Sequence, residues 1–204
     1  IVLFKNFAEY SKYTKKDIPP YSKVTYGIFI PDLNSVVSYG KTGLGTLFHE
    51  LMHSFIYANI KKEKYPNKWF DEGLASFYEY VAIKNNTLTD GFTNWRMPHL
   101  HKTIKNKKFK HLRKLILEYF QFQTYPYAQA RFLFCYLWSK NKLVEFVKRY
   151  VYVLLPQYKG IELRRKTISL LEDLLKKNIN VINKEYIALA LKLKANKKLP
   201  LILK

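Results

Sequence analysis

Residues 46–56 read TLFHELMHSFI, and this stretch decides how the rest of the chain is interpreted. Its apolar residues recur at helical spacing, and Thr46 is predicted to cap the N-terminus of the helix. His49 and His53 stand at positions i and i+4, so both imidazoles lie on one helix face and can bind one metal ion. Glu50 projects beside that ion rather than onto it, which allows its carboxylate to act as a general base.

A second stretch supplies the third metal ligand. Residues 69–76 read WFDEGLAS, and Glu72 is an acid in an otherwise apolar helical start. Such a carboxylate is poorly solvated unless a metal or an ion partner accompanies it. Because a catalytic zinc normally has three protein ligands and one open position, we predict that His49, His53 and Glu72 bind Zn²⁺. Asp71 is predicted to cap the helix that carries Glu72.

These two stretches resemble the zinc signature of gluzincin metallopeptidases. The spacing, with residues 54–71 between the second histidine and Glu72, is similar to that of the aminopeptidase N and leukotriene A4 hydrolase group and of the shorter peptidase MA-like domains. Residues 72–75, EGLA, are similar to the box around that group's third ligand. The resemblance covers residues 24–150 and is specific at the two boxes. It implies a zincin-like (thermolysin-like) catalytic domain that hydrolyses peptide bonds with zinc.

Two further roles follow from the resemblance. Residues 126–132, PYAQARF, look like a Pro-Tyr helix start that supplies an oxyanion-binding tyrosine, and the matching residue is Tyr127. Tyr125 and a purely structural role for Tyr127 stay open, because the chain has 17 tyrosines. Glu79 stands two helical turns after Glu72 and matches an acid that hydrogen-bonds a ligand histidine. An ordinary exposed helical glutamate is the alternative for Glu79.

One departure from the resemblance bears on specificity. Aminopeptidases of this group carry a Gly-x-Met-Glu-Asn box upstream of the first histidine, whose acid holds the free amine of the substrate. The corresponding residues 22–26 contain no acid, and Asp17 and Asp32 fall in predicted break and turn segments. We therefore predict an endopeptidase acting on a peptide or protein substrate.

The remaining pattern predicts one α+β domain, mostly α, over residues 1–204. Residues 24–30 and 35–39 are predicted strands joined by a turn, and 35–39 is predicted to bind an extended substrate by strand addition. Residues 85–110 are predicted to be irregular. The β element and the two zinc-ligand helices occupy about 20–95, and a helical part follows over about 111–204. Helices are predicted up to residue 16 and at 68–84, 112–122, 127–139, 142–155, 161–177 and 184–194.

Composition limits the alternatives. A single cysteine, Cys135, excludes a disulfide framework and a Cys-rich zinc cluster, and its apolar neighbours predict that it is buried. His99, His101 and His111 lack helical partner spacing and are predicted to be ordinary surface or hydrogen-bonded histidines. No apolar run is long enough to cross a bilayer.

The net charge of +21 favours contacts with anionic surfaces in general. The densest lysine run, residues 102–110, has no interleaved aromatic ladder, so we predict no specific nucleic-acid binding. Two alternatives to a peptidase stay open: a non-catalytic scaffold that binds anionic polymers, and a zinc hydrolase of a non-peptide substrate. The intact Glu50 argues against the scaffold. We favour a secreted or cell-envelope protein whose targeting segment is not part of this chain.

Overall fold

The fold is seen in a computed structural model, which describes residues 1–17, 26–79, 82–84, 87–89, 94–118 and 126–193. Its front is a three-stranded sheet with strands β1, β2 and β3 at Val2–Phe4, Gly27–Ile30 and Ser35–Tyr39. The order is β1-β3-β2, with β1 parallel and β2 antiparallel to β3. The predicted strand at 35–39 is confirmed. Residues 24 and 25 of the other predicted strand lie outside the described part.

The pairing of β3 overturns its predicted role. Both edges of β3 are occupied, by β1 and by β2, so it has no free edge to receive a substrate strand. Among the described strands, β2 is the one at the edge beside the later helices. Sequence pattern predicts that two strands pair but does not reveal that a third strand, β1, closes the far side.

The first two helices after the sheet carry the predicted site. Helix α1, Phe7–Asp17, packs on the sheet, and α2 and α3 span Leu44–Asn59 and Lys68–Tyr78. The predicted cap at Thr46 is wrong: α2 begins after Gly43, whose φ of 84° suits glycine best. The Thr46 hydroxyl instead donates to the carbonyl of Thr42 at 3.3 Å.

Helix α3 is shorter than predicted. It ends at Tyr78, and the expected extension to residue 84 is replaced by a hairpin of β4, Ala82–Lys84, and β5, Thr87–Thr89. β-branched residues such as Ile83, Thr87 and Thr89 favour a ladder over a helix once a partner strand is available.

A helical body follows. Its helices are α4 Met97–Lys105, α5 Leu112–Leu117, α6 Tyr127–Ser139, α7 Leu143–Arg149, α8 Leu155–Gln157, α9 Gly160–Leu175 and α10 Ile179–Lys192. A π-helical segment at 150–154 joins α7 to α8. Helix α4 contradicts the predicted irregular stretch, because Met97, Leu100 and Ile104 form a helical stripe that packs on the core. Helix α10 begins earlier than predicted, since Asn178 caps it by accepting hydrogen bonds from two backbone N–H groups.

Helix α6 is the centre of the body. Its residues 128–137 are all buried, Cys135 among them as predicted. Helix α3 lies close against α6 at Gly73, where an added Cβ would stand 2.6 Å from Cε2 of Phe134 and 2.9 Å from the carbonyl oxygen of Ala130. The described elements are mainly helices with one small three-stranded sheet and a hairpin, so the prediction of an α+β, mostly α chain is confirmed. None of the described helices combines the length and apolar character needed to cross a membrane.

Candidate metal centre

The centre lies between α2 and α3. Helix α2 carries His49, Glu50 and His53, and all three line the same cavity. Helix α3 carries Glu72, and Glu79 follows directly after its last residue. Helix α3 packs against α2 on one side and against α6 on another, and this packing sets the position of the carboxylates relative to the two histidines.

Three ligand atoms converge, one from each predicted metal ligand. Nε2 of His49 lies 3.1 Å from Nε2 of His53 and 3.5 Å from Oε2 of Glu72, and the third distance, from Nε2 of His53 to Oε2 of Glu72, is 3.9 Å. Ligand atoms about 2.1 Å from a tetrahedral zinc would lie about 3.4 Å from one another. The observed distances scatter around that value, so the cluster has the size of a single zinc site. Within the described residues this trio forms a group able to hold a metal ion.

The Nδ1 atom of each histidine, which lies on the outer side of the cluster, contacts a carboxylate. Oε1 of Glu79 lies 3.0 Å from Nδ1 of His49, and Oδ1 of Asp71 lies 2.8 Å from Nδ1 of His53. A proton held at each Nδ1 leaves the Nε2 lone pairs facing inward. Two such lone pairs and a carboxylate oxygen repel one another at these distances unless a cation or protons lie between them. The chemistry of the donor set therefore fits a metal ion.

Asp71 has a different role from the predicted one. Helix α3 begins after Asn67, so Asp71 is inside its first turn and does not cap it. Its Oδ1 instead contacts His53 and accepts a hydrogen bond from the Tyr65 hydroxyl at 3.1 Å. Spacing along α3 did not indicate this contact, because neighbouring residues of a helix point in directions about 100° apart. Tyr65 and Arg96 also line the cavity, and neither belongs to a motif that would have indicated this.

In the metal-free cluster, burial and neighbouring charges shift the pKa values of the ionisable side chains in opposite directions. Burial alone would lower the pKa of His49, but its contacts with Glu72 and Glu79 outweigh this and raise that pKa to about 10. For His53, burial again acts to lower the pKa, but the contact with Asp71 outweighs it and the pKa is raised. The pKa of Glu79 is lowered to about 2 despite its burial, because His49 and Arg96 favour the carboxylate. The centre thus attracts positive charge, whether as protons or as a metal.

Glu50 sits beside the trio and against the sheet. Burial raises the pKa of its carboxyl group, while the positive charge of the two histidines works in the other direction. Strand β2 approaches closely here: a Cβ on Gly27 would stand 2.9 Å from Cγ2 of Thr46 and 3.1 Å from Cγ of Glu50. Glycine at this position lets the edge strand lie directly over the proposed base.

An open cavity of about 810 Å³ contains the centre. Tyr127 lines it, and burial followed by the nearby charge of Glu72 raises the pKa of the phenol, which stays protonated. The other predicted phenol, Tyr125, lies outside the described residues. Five of the chain's 15 acidic residues line the cavity, namely Asp32, Glu50, Asp71, Glu72 and Glu79. Among the described lining residues Arg96 is the only lysine or arginine, so a strongly basic protein has an acidic cavity.

The remaining described histidines are accounted for elsewhere. His101 bonds the carbonyl of Ala190 at 2.7 Å, and Nδ1 of His111 accepts from the backbone N–H of Arg113 at 3.1 Å. His99 lies on α4, away from the cavity lining.

No family model, curated protein or solved structure matches the chain, so its own geometry is the basis for interpreting the centre.

Proposed function

We propose that the protein is a zinc-dependent metallopeptidase of the gluzincin type with a zincin-like catalytic domain. One observation carries the proposal: three donor atoms of His49, His53 and Glu72 meet within 3.9 Å, while carboxylates occupy both outer ring nitrogens. Two histidines and one carboxylate with an open position are a ligand set of catalytic zinc. When bound there, zinc would supply a Lewis acid that allows water to ionise near neutral pH.

Glu50 is the proposed general base. Its carboxylate accepts the proton of the attacking water and later delivers it to the leaving amine. Burial supports this role because it raises the pKa of Glu50 and so makes the group a better proton acceptor than an exposed glutamate.

Tyr127 is the proposed donor to the carbonyl oxygen as that oxygen gains charge. The phenol keeps its proton because burial and the charge of Glu72 raise its pKa, and a protonated phenol is a hydrogen-bond donor. Its place in the lining of the same cavity supports the assignment.

The substrate is proposed to bind as an added strand on β2. This replaces the sequence-based choice of β3, whose edges are both occupied. Residues 26–29 line the cavity, and the missing side chain of Gly27 keeps the strand close to Glu50. Main-chain hydrogen bonds to such an edge would hold an extended peptide across the centre.

Endopeptidase activity stays our proposal, with one correction to its basis. Asp32 lies in a turn as predicted, in the short 3-10 segment Pro31–Leu33, but this turn follows directly after β2 and Asp32 lines the cavity. Asp32 is therefore an acid that a substrate amine in the cavity could meet, and acetylated peptides test whether it holds one.

A zinc hydrolase of a non-peptide substrate is the second candidate, because the centre itself does not specify the bond that is cut. The presence of a carboxylate at Glu50 beside the donor trio favours either hydrolase over a non-catalytic scaffold.

Elemental analysis and turnover together test the proposal. Wild-type protein dialysed against zinc should retain one zinc per chain and cleave a peptide library. Glu50→Gln should retain the zinc and the fold but lose nearly all turnover, because only the base is removed. Wild-type protein without stoichiometric zinc, or a Glu50→Gln variant as active as wild type, would contradict the mechanism.

A further inference from the structure

Arg96 makes a two-point contact with Glu79. Its Nη2 donates to Oε1 at 2.6 Å and its Nε donates to Oε2 at 3.1 Å, and the side chains are 17% and 10% exposed. The same Oε1 lies 3.0 Å from Nδ1 of His49. Arg96, Glu79 and His49 therefore form a chain of contacts that ends at the proposed metal ligand.

The arginine is itself held in place. Asn94 is fully buried, and its side-chain oxygen accepts a hydrogen bond from the backbone N–H of Arg96 at 2.9 Å. The guanidinium carbon lies 4.2 Å from the Trp95 ring centroid and 5.4 Å from that of Tyr127. One cation thus touches both the carboxylate behind the metal ligand and the ring of the proposed oxyanion donor.

Glu79 needs such a restraint because of where it stands. It follows the last residue of α3, so the helix does not hold its backbone on both sides. A glutamate side chain has several rotatable bonds, and fixing them costs conformational free energy. A planar guanidinium that bonds both carboxylate oxygens fixes the direction of the group, which a point charge cannot do.

We propose that Arg96 is a positioning residue that fixes the Glu79 carboxylate against Nδ1 of His49 and thereby keeps Nε2 of His49 directed at the metal. The inference rests on the proposed function, since it assigns a supporting residue to that same centre. It concerns orientation, and it holds whether the bond that is hydrolysed is a peptide bond or another one.

Simple charge predicts the opposite result from positioning. Arg96 is a cation near a site for a dication, so removing it should tighten metal binding if charge alone mattered. If Arg96 fixes Glu79, removing it should weaken metal binding, because carboxylates that orient ligand histidines typically contribute about 10- to 100-fold in metal affinity. The sign of the change therefore separates the two effects.

Zinc affinity, measured by competition with a chromophoric chelator, is the test, and it needs no catalytic assay. Glu79→Gln should weaken zinc binding by about 10- to 100-fold, and Arg96→Gln by about 10-fold. Arg96→Lys should lose less than Arg96→Gln, because it keeps the charge but not the two-point contact. In the Glu79→Gln background, Arg96→Gln should add nothing, since residues that act through one another are not additive.

Arg149→Gln is the matched control. It also removes an arginine from a carboxylate pair, that with Asp173 at 2.8 Å, on the helical body, and it should leave zinc affinity unchanged. Circular dichroism and thermal unfolding establish that each variant is folded. If Arg96→Gln does not fold, weaker zinc binding by Arg96→Lys than by the wild type supports the inference, and unchanged or tighter binding contradicts it.

Unchanged or tighter zinc binding by folded Arg96→Gln, or full additivity with Glu79→Gln, would overturn the inference. Wild-type protein that binds no zinc would overturn the proposed function and this inference with it. Wild-type protein that binds zinc while the arginine variants match it would overturn this inference alone.

Discussion

Oδ1 of Asp71 lies 2.8 Å from Nδ1 of His53. Asp71 directly precedes the proposed ligand Glu72, so consecutive residues of α3 reach the outer and the inner side of the metal centre. The same helix, extended by one residue, supplies Glu79 to the other histidine. Each imidazole is thus held from behind by a carboxylate, and both carboxylates depend on the placement of α3.

Asp71→Asn tests whether this contact or helix capping explains the aspartate. We expect zinc affinity to fall by about 10- to 100-fold, because the charge that holds the Nδ1 proton is lost. Asparagine caps a helix about as well as aspartate, so a capping role predicts unchanged affinity. Chelator competition measures the difference, and Asp173→Asn, in an exposed pair, is the control.

Tyr127→Phe should lower kcat by about 100- to 1000-fold with little change in KM, as expected for a contact made only in the transition state. Steady-state kinetics on one cleaved peptide measure both constants. Tyr57→Phe is the control within the cavity, because Tyr57 lines the same cavity but is not one of the residues assigned to the centre. Tyr65→Phe is compared separately, since its hydroxyl donates to Asp71 and its loss disturbs the contact with His53. A harmless Tyr127→Phe beside a damaging Tyr65→Phe or Tyr125→Phe would mean that another phenol is the donor.

N-acetylated peptides decide between internal and terminal cleavage. A free α-amine is a cation, and burying it near a dicationic metal requires a compensating carboxylate. We expect acetylated and free peptides to be cut at the same internal bonds, as followed by mass spectrometry. Loss of single N-terminal residues from free peptides only, abolished both by acetylation and by Asp32→Asn, would make Asp32 an amine anchor and contradict the endopeptidase proposal.

Stability should depend on pH in opposite ways with and without zinc. In the metal-free protein the pKa of His49 is raised from its usual 6.5 to about 10, so its protonated form contributes stability that is full below pH 6.5 and is lost as pH rises through 10. Zinc needs the deprotonated imidazole, so its stabilising effect should grow over the same range. Thermal unfolding from pH 6.5 to 10, with zinc and with a chelator, measures both trends. Parallel curves would contradict the prediction.

Gly73→Ala should destabilise the fold by about 1–3 kcal/mol, because the added methyl group would overpack the contact between α3 and α6. Urea unfolding measures the change. Gly40→Ala is the matched control, since a Cβ there meets only the carbonyl oxygen of Lys5, at 3.9 Å. Equal stability of the two variants would show that α3 can shift without cost.

Residue type and spacing along the chain were enough to predict the donor set and the helices that carry it. His49 and His53 share a helix face by spacing alone. Glu72 was assigned from its residue type, as an acid in an apolar helical start, and from the three protein ligands that a catalytic zinc normally has. The strand at 35–39 and helix α6 are equally local, and both were predicted with their observed bounds. The contact between Glu79 and His49 came from the resemblance rather than from spacing.

Which groups surround those donors depended on how the helices, strands and loops pack together. Asp71 contacts His53 and does not cap its helix. Tyr65 and Arg96 lie in segments without any motif, yet both line the cavity. Asp32 lies in a turn and also lines the cavity. Because β1 pairs with β3, the strand with a free edge beside the centre is β2, whereas the sequence-based choice was β3. The physical reason is common to all of them. These contacts join different helices, strands and loops, so packing and strand order set them, whereas periodicity records only neighbours along one helix or strand.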